Sequence, residues 1–166
     1  MIFVTVGTHE QPFNRLIEYI DNLKGIGILQ EKVIIQTGYC TYVPTSCEYE
    51  QFYSFQDMVK FIKEARIVIT HGGPSSFIMS LQVGKTPIVV PRNHKYGEHI
   101  NNHQIGFCRS VAKRMGNIIV VEDISNLNNV IQTYNSIVKK MNLKMKNNNA
   151  KFNIELEKIV KTMFDE

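Results

Sequence analysis

Thr70-His71-Gly72-Gly73-Pro74-Ser75-Ser76 follows directly on the apolar run Ile67-Val68-Ile69. A buried strand that empties into a glycine turn, with a proline suited to the first turn of a helix, leaves backbone N–H groups unpaired at the positive end of a helix dipole. Such an end attracts an anion, and a diphosphate suits it. The hydroxyls of Ser75 and Ser76 add donors at the same place. A second turn of this kind lies at the start of the chain, where Ile2-Phe3-Val4-Thr5-Val6 runs into Gly7-Thr8-His9-Glu10. The third polar stretch, Pro91 to Gln104, follows another strand and is dense in groups that hydrogen-bond sugar hydroxyls, among them Glu98, Asn102 and Gln104.

Metal chemistry is not expected from these residues. His99 and His103 are four apart, but their order is not the His-Glu-x-x-His of a metalloprotease, and no acidic third ligand is specified. Neither a P-loop lysine nor a complete G-x-G-x-x-G is present, so any nucleotide must be held by another device.

The elements that position these turns alternate. The Ile2 strand is followed by a helix opened by Pro12 and striped by Phe13, Leu16, Ile17, Ile20 and Leu23. Val33-Ile34-Ile35 is a strand, residues 39–53 a polar, tyrosine-bearing loop, and Phe55, Met58, Val59 and Ile62 stripe a second helix. The Ile67 strand leads to a helix carrying Phe77, Ile78 and Leu81 that stops at Gly84, and Pro87 to Val90 forms the next strand. A helix from about His99 to Lys113, the strand Ile118 to Val121 and a helix striped by Leu127, Val130, Ile131, Tyr134 and Val138 complete the series. The expected fold is α/β, a Rossmann-like doubly wound parallel sheet, whose ligands sit outside the C-terminal strand ends. All three polar turns fall on that edge. Residues 1–146 are expected to form this domain, and residues 147–166 a C-terminal amphipathic helix striped by Phe152, Leu156, Ile159, Val160 and Met163.

With 166 residues, 43% of them hydrophobic, the chain suits one domain with one good core. It has no apolar run of about 18 residues and no basic leader, and Cys40, Cys47 and Cys108 are odd in number without metal spacing, so a cytoplasmic protein with reduced thiols is expected. Between residues 139 and 161 seven lysines face two glutamates, a local balance of +5 within a total of +4. That end is suited to an acidic partner or an anionic lipid surface. Nucleic acid is not expected, because basic and aromatic residues do not interleave on a known module.

Taken together, Gly7-Thr8-His9-Glu10, His71-Gly72-Gly73-Pro74 and Gly97-Glu98-His99 with Asn102-His103-Gln104 resemble the C-terminal domain of the family 28 glycosyltransferases, over residues 1 to about 125. The chain is similar to the stand-alone catalytic subunits of bacterial capsular and exopolysaccharide galactosyltransferases, and to the catalytic half of the split eukaryotic N-acetylglucosaminyltransferase. The resemblance implies a single GT-B half-domain that binds a UDP-sugar as donor substrate, without a metal. It also implies a membrane-anchored partner subunit that supplies the other half of the cleft and an undecaprenyl-diphosphate-linked sugar acceptor, so that the chain works at the inner face of the membrane. The activity implied is inverting hexosyl transfer of β-1,4-galactosyltransferase type. By motif match, Gly7, Thr8 and the His71-Gly72-Gly73 turn line the diphosphate with Ser75 and Ser76. Asn102 and Gln104 hold donor-sugar hydroxyls, and Glu98 is counted with the same nucleotide-sugar site.

One position departs from the family pattern. Many relatives carry a ribose-gripping glutamate eight residues after the motif histidine, where this chain has Met79, which shifts that role to Ser80 or a neighbour. His9 is the expected catalytic base, since an imidazole titrates near working pH, with the partner as the other source. Because only half a cleft is present, a non-catalytic UDP-sugar-binding module that regulates a partner glycosyltransferase stands as the alternative.

Overall fold

The computed structural model describes residues 1–141. Six strands form one parallel sheet: β1 (Ile2–Thr5), β2 (Val33–Gln36), β3 (Glu48–Glu50), β4 (Ile67–His71), β5 (Ile88–Val90) and β6 (Ile119–Val120), in the order β3-β2-β1-β4-β5-β6. Five helices connect or follow them: α1 (Asn14–Gly25), α2 (Phe55–Glu64), α3 (Pro74–Gln82), α4 (His103–Met115) and α5 (Leu127–Lys140). The order reverses between β1 and β4, which pair in register from Ile2 with Ile67 to Thr5 with Thr70. Their outgoing loops are therefore neighbours, and they leave the sheet at its topological switch point, where such folds bind ligands.

The central strands are short runs of β-branched and aromatic residues buried on both faces, as a doubly covered parallel sheet requires. Alternation along β1 sends Ile2 and Val4 to a core completed by Leu16, Ile17 and Ile20 of α1 and Leu127 and Ile131 of α5. Phe3 points the other way, into a cluster with Ile62 of α2. Phe77 and Leu81 of α3 pack with Val89 of β5 and Cys108 of α4 on that second face. The three cysteines carry free thiols.

Two elements differ from the sequence reading. The loop at 39–53 contains β3, an exposed edge strand of sequence Glu-Tyr-Glu that lacks the apolar run by which a strand is recognised. No helix lies in the crossover from β2 to β3, although parallel strands usually need one. The backbone of residues 41–47 is instead satisfied by polar side chains of α1. Asn14 Oδ1 accepts from the N–H groups of Thr41 and Tyr42, and Asp21, 1% exposed, accepts from those of Thr45, Ser46 and Cys47 and from the Tyr42 hydroxyl. The second difference is the start of α4. It begins at His103 rather than near His99, after a single 3-10 turn at His94–Tyr96 that ends on left-handed Gly97. Asn101 Oδ1 accepts from the His103 N–H and so favours a turn over an earlier helix start. The boundary at 146 and the C-terminal helix lie outside the described residues.

Burial alone would raise the Asp21 carboxyl. The Thr45 and Ser46 N–H groups and the Tyr42 hydroxyl outweigh it and hold the group below its ordinary 3.8. A carboxylate depressed in the folded state stabilises fully above its unfolded pKa, and that stability is lost as pH falls through the lower folded value. Asp21→Ala is expected to cost about 3 kcal/mol, because several buried donors lose their acceptor together. Urea melts check this: the midpoint should drop with an unchanged slope at pH 7, and the gap from wild type should narrow below about pH 4.

Candidate active site

The loops after β1 and β4 enclose a cleft of about 470 Å³. One wall is polar, formed by Gly7, Thr8, His9, His71, Ser75 and Ser76; the other is apolar, formed by Tyr53, Phe55, Met58 and Met79. Thr5 and Gln36 make the floor. Thr5 Oγ1 accepts both from the Gly7 N–H at 3.2 Å and from Gln36 Nε2 at 3.0 Å, and Gln36 Oε1 accepts from the Tyr53 N–H at 3.1 Å. These buried bonds fix the mouth of β1, the end of β2 and the start of α2 to one another. Gly73 precedes α3 with no side-chain cap, and the first turn carries no acid, so the positive end of that helix faces the cleft beside Ser75 and Ser76.

His71 is buried between the two glycine turns. A Cβ on Gly7 would stand 2.3 Å from its imidazole, and one on Gly73 would stand 2.2 Å from it. Gly7 also has φ +74°, which excludes most other residues, whereas Gly73 has an ordinary φ of −75° and is required by the ring alone. Burial, then Arg92 and the imidazoles of His9 and His99, push His71 down to about 3. His71 is therefore neutral at working pH and serves as packing and dipole rather than as an acid.

The Pro91–Gln104 segment plays a different part from the one expected of it. Glu98 is 2% exposed and lies outside the cleft lining, because Arg15 grips it bidentately at 2.7 and 2.9 Å and its second oxygen also accepts from the Asn93 N–H. In this structure Glu98 ties its own loop to α1, and its place in the nucleotide-sugar site rests on the family resemblance alone. Gln104 is also buried, with its Oε1 accepting from the Arg92 N–H at 3.1 Å and its side chain packed against Gly72. Asn102 is exposed beside them, its Oδ1 accepting from the His94 N–H. Ser80 is fully buried and lies outside the cleft lining, while Met79 is part of the apolar wall. The segment meets the cleft wall at His9, against which the His99 ring lies at 4.7 Å, with His103 4.6 Å from His99. Burial first, and then His103 and His9, hold His99 below the usual imidazole range. Among the described residues no group of three His, Cys, Asp or Glu could hold a metal ion.

Sequence reasoning missed Arg92, which is 1% exposed and the largest fully buried side chain. Its guanidinium donates to the carbonyls of Gln11 at 2.5 Å, Glu98 at 3.0 Å and Val6 at 2.9 Å, and lies over the Phe13 ring. An arginine in a polar loop carries no signal that it turns inward. Tyr53, Phe55 and Gln36 were missed for a similar reason, since each reads as an ordinary element end.

Residues 1–163 match the glycosyltransferase family 28 C-terminal domain. The chain belongs to that family. Among curated relatives, the human UDP-N-acetylglucosamine transferase subunit ALG13 is 36% identical over 121 residues, covering 68% of this chain and 10% of its own length. The mouse protein of the same name is 33% identical over 120 residues, with 67% and 10% covered. The family 28 chain thus spans about a tenth of the curated relatives it matches. Solved structures of the glycotransferase of kitacinnamycin and of the glycosyltransferase SnogD from Streptomyces nogalater superpose with TM-scores of 0.56 and 0.50, both at 16% identity. They cover 86% and 84% of this chain, and 35% and 39% of their own. At that identity the likeness concerns the fold, one half of a GT-B glycosyltransferase.

The wedge between the glycine turns is open to a double-mutant cycle. Gly73→Ala is expected to cost about 1 to 3 kcal/mol by overpacking. In a His71→Ala background most of that cost should vanish, since the added methyl then has room; equal costs in both backgrounds would place the strain elsewhere. His71 also sets a pH slope. The unfolded residue protonates near 6.5 and the folded one near 3, so its share of stability is whole above about pH 6.5 and declines towards pH 3. Urea midpoints of His71→Gln should decline less over that window than those of wild type.

Proposed function

We propose that this chain is the donor-binding, catalytic subunit of a two-component inverting glycosyltransferase that moves a hexose from a UDP-sugar to a lipid-diphosphate-linked saccharide. The observation that carries the reading is the polar wall of the cleft: two glycine turns, two serines and an uncapped helix N-terminus converge at the switch point of the sheet. Oriented N–H groups and a helix dipole suit a diphosphate whose charge grows as the sugar leaves, and they stabilise it without a metal. The acceptor hydroxyl attacks the anomeric carbon from the face opposite the departing UDP, which inverts the centre, and a base removes its proton. The apolar wall of Tyr53, Phe55, Met58 and Met79 suits the nucleoside end, with van der Waals contact where many relatives place a carboxylate.

A membrane-anchored partner holding the acceptor completes the reading. The chain aligns with only 35% and 39% of its structural neighbours, and a second half of the cleft is supplied by another polypeptide or segment. Among the described residues no helix is long and apolar enough to cross a membrane, and a membrane-anchored partner would bring this domain to a lipid-linked acceptor. The donor sugar is galactose in the capsular and exopolysaccharide reading, whereas the names of the curated relatives specify N-acetylglucosamine.

Titrating UDP into ¹⁵N-labelled protein should shift the amides of Gly7, Gly72 and Gly73 before those of α5; shifts that avoid the β1 and β4 loops would refute the site. With partner-containing membranes and a polyprenyl-diphosphate-linked saccharide, label should pass from UDP-galactose to lipid. Transfer from UDP-N-acetylglucosamine alone would assign the other donor, and binding without transfer of any sugar would leave a regulatory module.

A further inference from the structure

The His9 ring lines the polar wall, and its Nδ1 accepts a hydrogen bond from the Gln11 N–H at 3.1 Å. A neutral imidazole has one N–H and one lone pair. Because the lone pair at Nδ1 is engaged by Gln11, the proton of the neutral ring sits on Nε2, and Nε2 is the one ring nitrogen left to meet a ligand. A general base needs the opposite arrangement, a lone pair aimed at the proton it takes. Exchanging the tautomer would set Nδ1–H against the Gln11 N–H and strand that donor. Gln11 cannot readily turn away, since its carbonyl is held by the buried Arg92 guanidinium at 2.5 Å. His71, the adjacent imidazole on the same wall, is fixed by its glycines.

We infer that His9 is a hydrogen-bond donor, through Nε2–H, to the leaving diphosphate, and is not the base. This rests on the reading of the cleft as a UDP-sugar site and changes the division of labour within it. As the bond from the anomeric carbon to the diphosphate oxygen breaks, its electron pair passes to that oxygen, which Nε2–H and the Gly7 turn stabilise. The acceptor oxygen bonds to the anomeric carbon, and its proton goes to a carboxylate or imidazole on the acceptor side, contributed by the partner subunit.

Two measurements on the full chain test this. Long-range ¹H–¹⁵N spectra of the histidine rings should show neutral His9 as the Nε2–H tautomer; an Nδ1–H tautomer overturns the inference. Binding of UDP and of uridine should then be compared by titration. His9→Ala should weaken UDP at least fivefold and leave uridine within twofold, because uridine lacks the diphosphate. His9→Gln, which keeps an N–H donor near the Nε2 position and cannot act as a base, should restore UDP binding to within about threefold of wild type. Unchanged UDP affinity in His9→Ala, or equal loss of UDP and uridine, refutes the donor role. A wild-type chain that binds uridine no more weakly than UDP, or binds neither, refutes the underlying diphosphate site, whatever the tautomer.

Discussion

The buried guanidinium of Arg92 constrains everything around the cleft. Removing such a group from water costs several kcal/mol unless its donors are met. Here Nη1 and Nη2 are met by backbone carbonyls of Gln11, Glu98 and Val6, on the loops that follow β1 and β5, while Nε has no partner among the described residues. Those carbonyls must converge on one point, so two loops that share no strand pairing are drawn together over β4. The Arg15–Glu98 pair lies alongside and fastens α1 to the same segment. After burial, the charge of Arg92 also helps to push the imidazoles of His71 and His99 below their usual range.

Much of the frame was legible because its signals are local. The apolar runs of β1, β2, β4 and β5, the i, i+3, i+4 stripes of α1, α2 and α5, and the stop at Gly84 each stand in a few consecutive residues. The parallel doubly wound sheet followed from the alternation, and with it the edge on which Gly7, Thr8, His71 and the serines meet. What was not legible depends on partners distant in the chain. Strand β3 is held by its pairing with β2, and its crossover by Asp21, twenty or more residues away, so nothing within 39–53 announces either. Glu98 and Arg92 look like ligand-binding residues in a polar loop until the partners 83 and 86 positions away are seen. The same polar types serve for binding a sugar and for folding a loop, and only burial separates the two uses.

The resemblance to family 28 and the geometry bear on different questions. Family membership fixes the fold and the residues to inspect. The geometry decides what each is free to do, and it moves Glu98 and Ser80 out of the cleft while leaving Gly7, Thr8, His9, His71, Ser75 and Ser76 along one wall. Met79 belongs to the opposite wall, where its flexible thioether packs with Tyr53 and Met58.

The imidazole of His71, neutral and wedged between Gly7 and Gly73, acts as a spacer of fixed thickness. It holds the two turns one ring apart, so neither can collapse onto the other and close the space an anion would fill. The entropy of ordering these loops is thus met during folding and not at the moment of binding. A site built in this way is expected to take its ligand with little rearrangement of the β1 and β4 turns, and to leave most of the favourable contact energy visible as affinity.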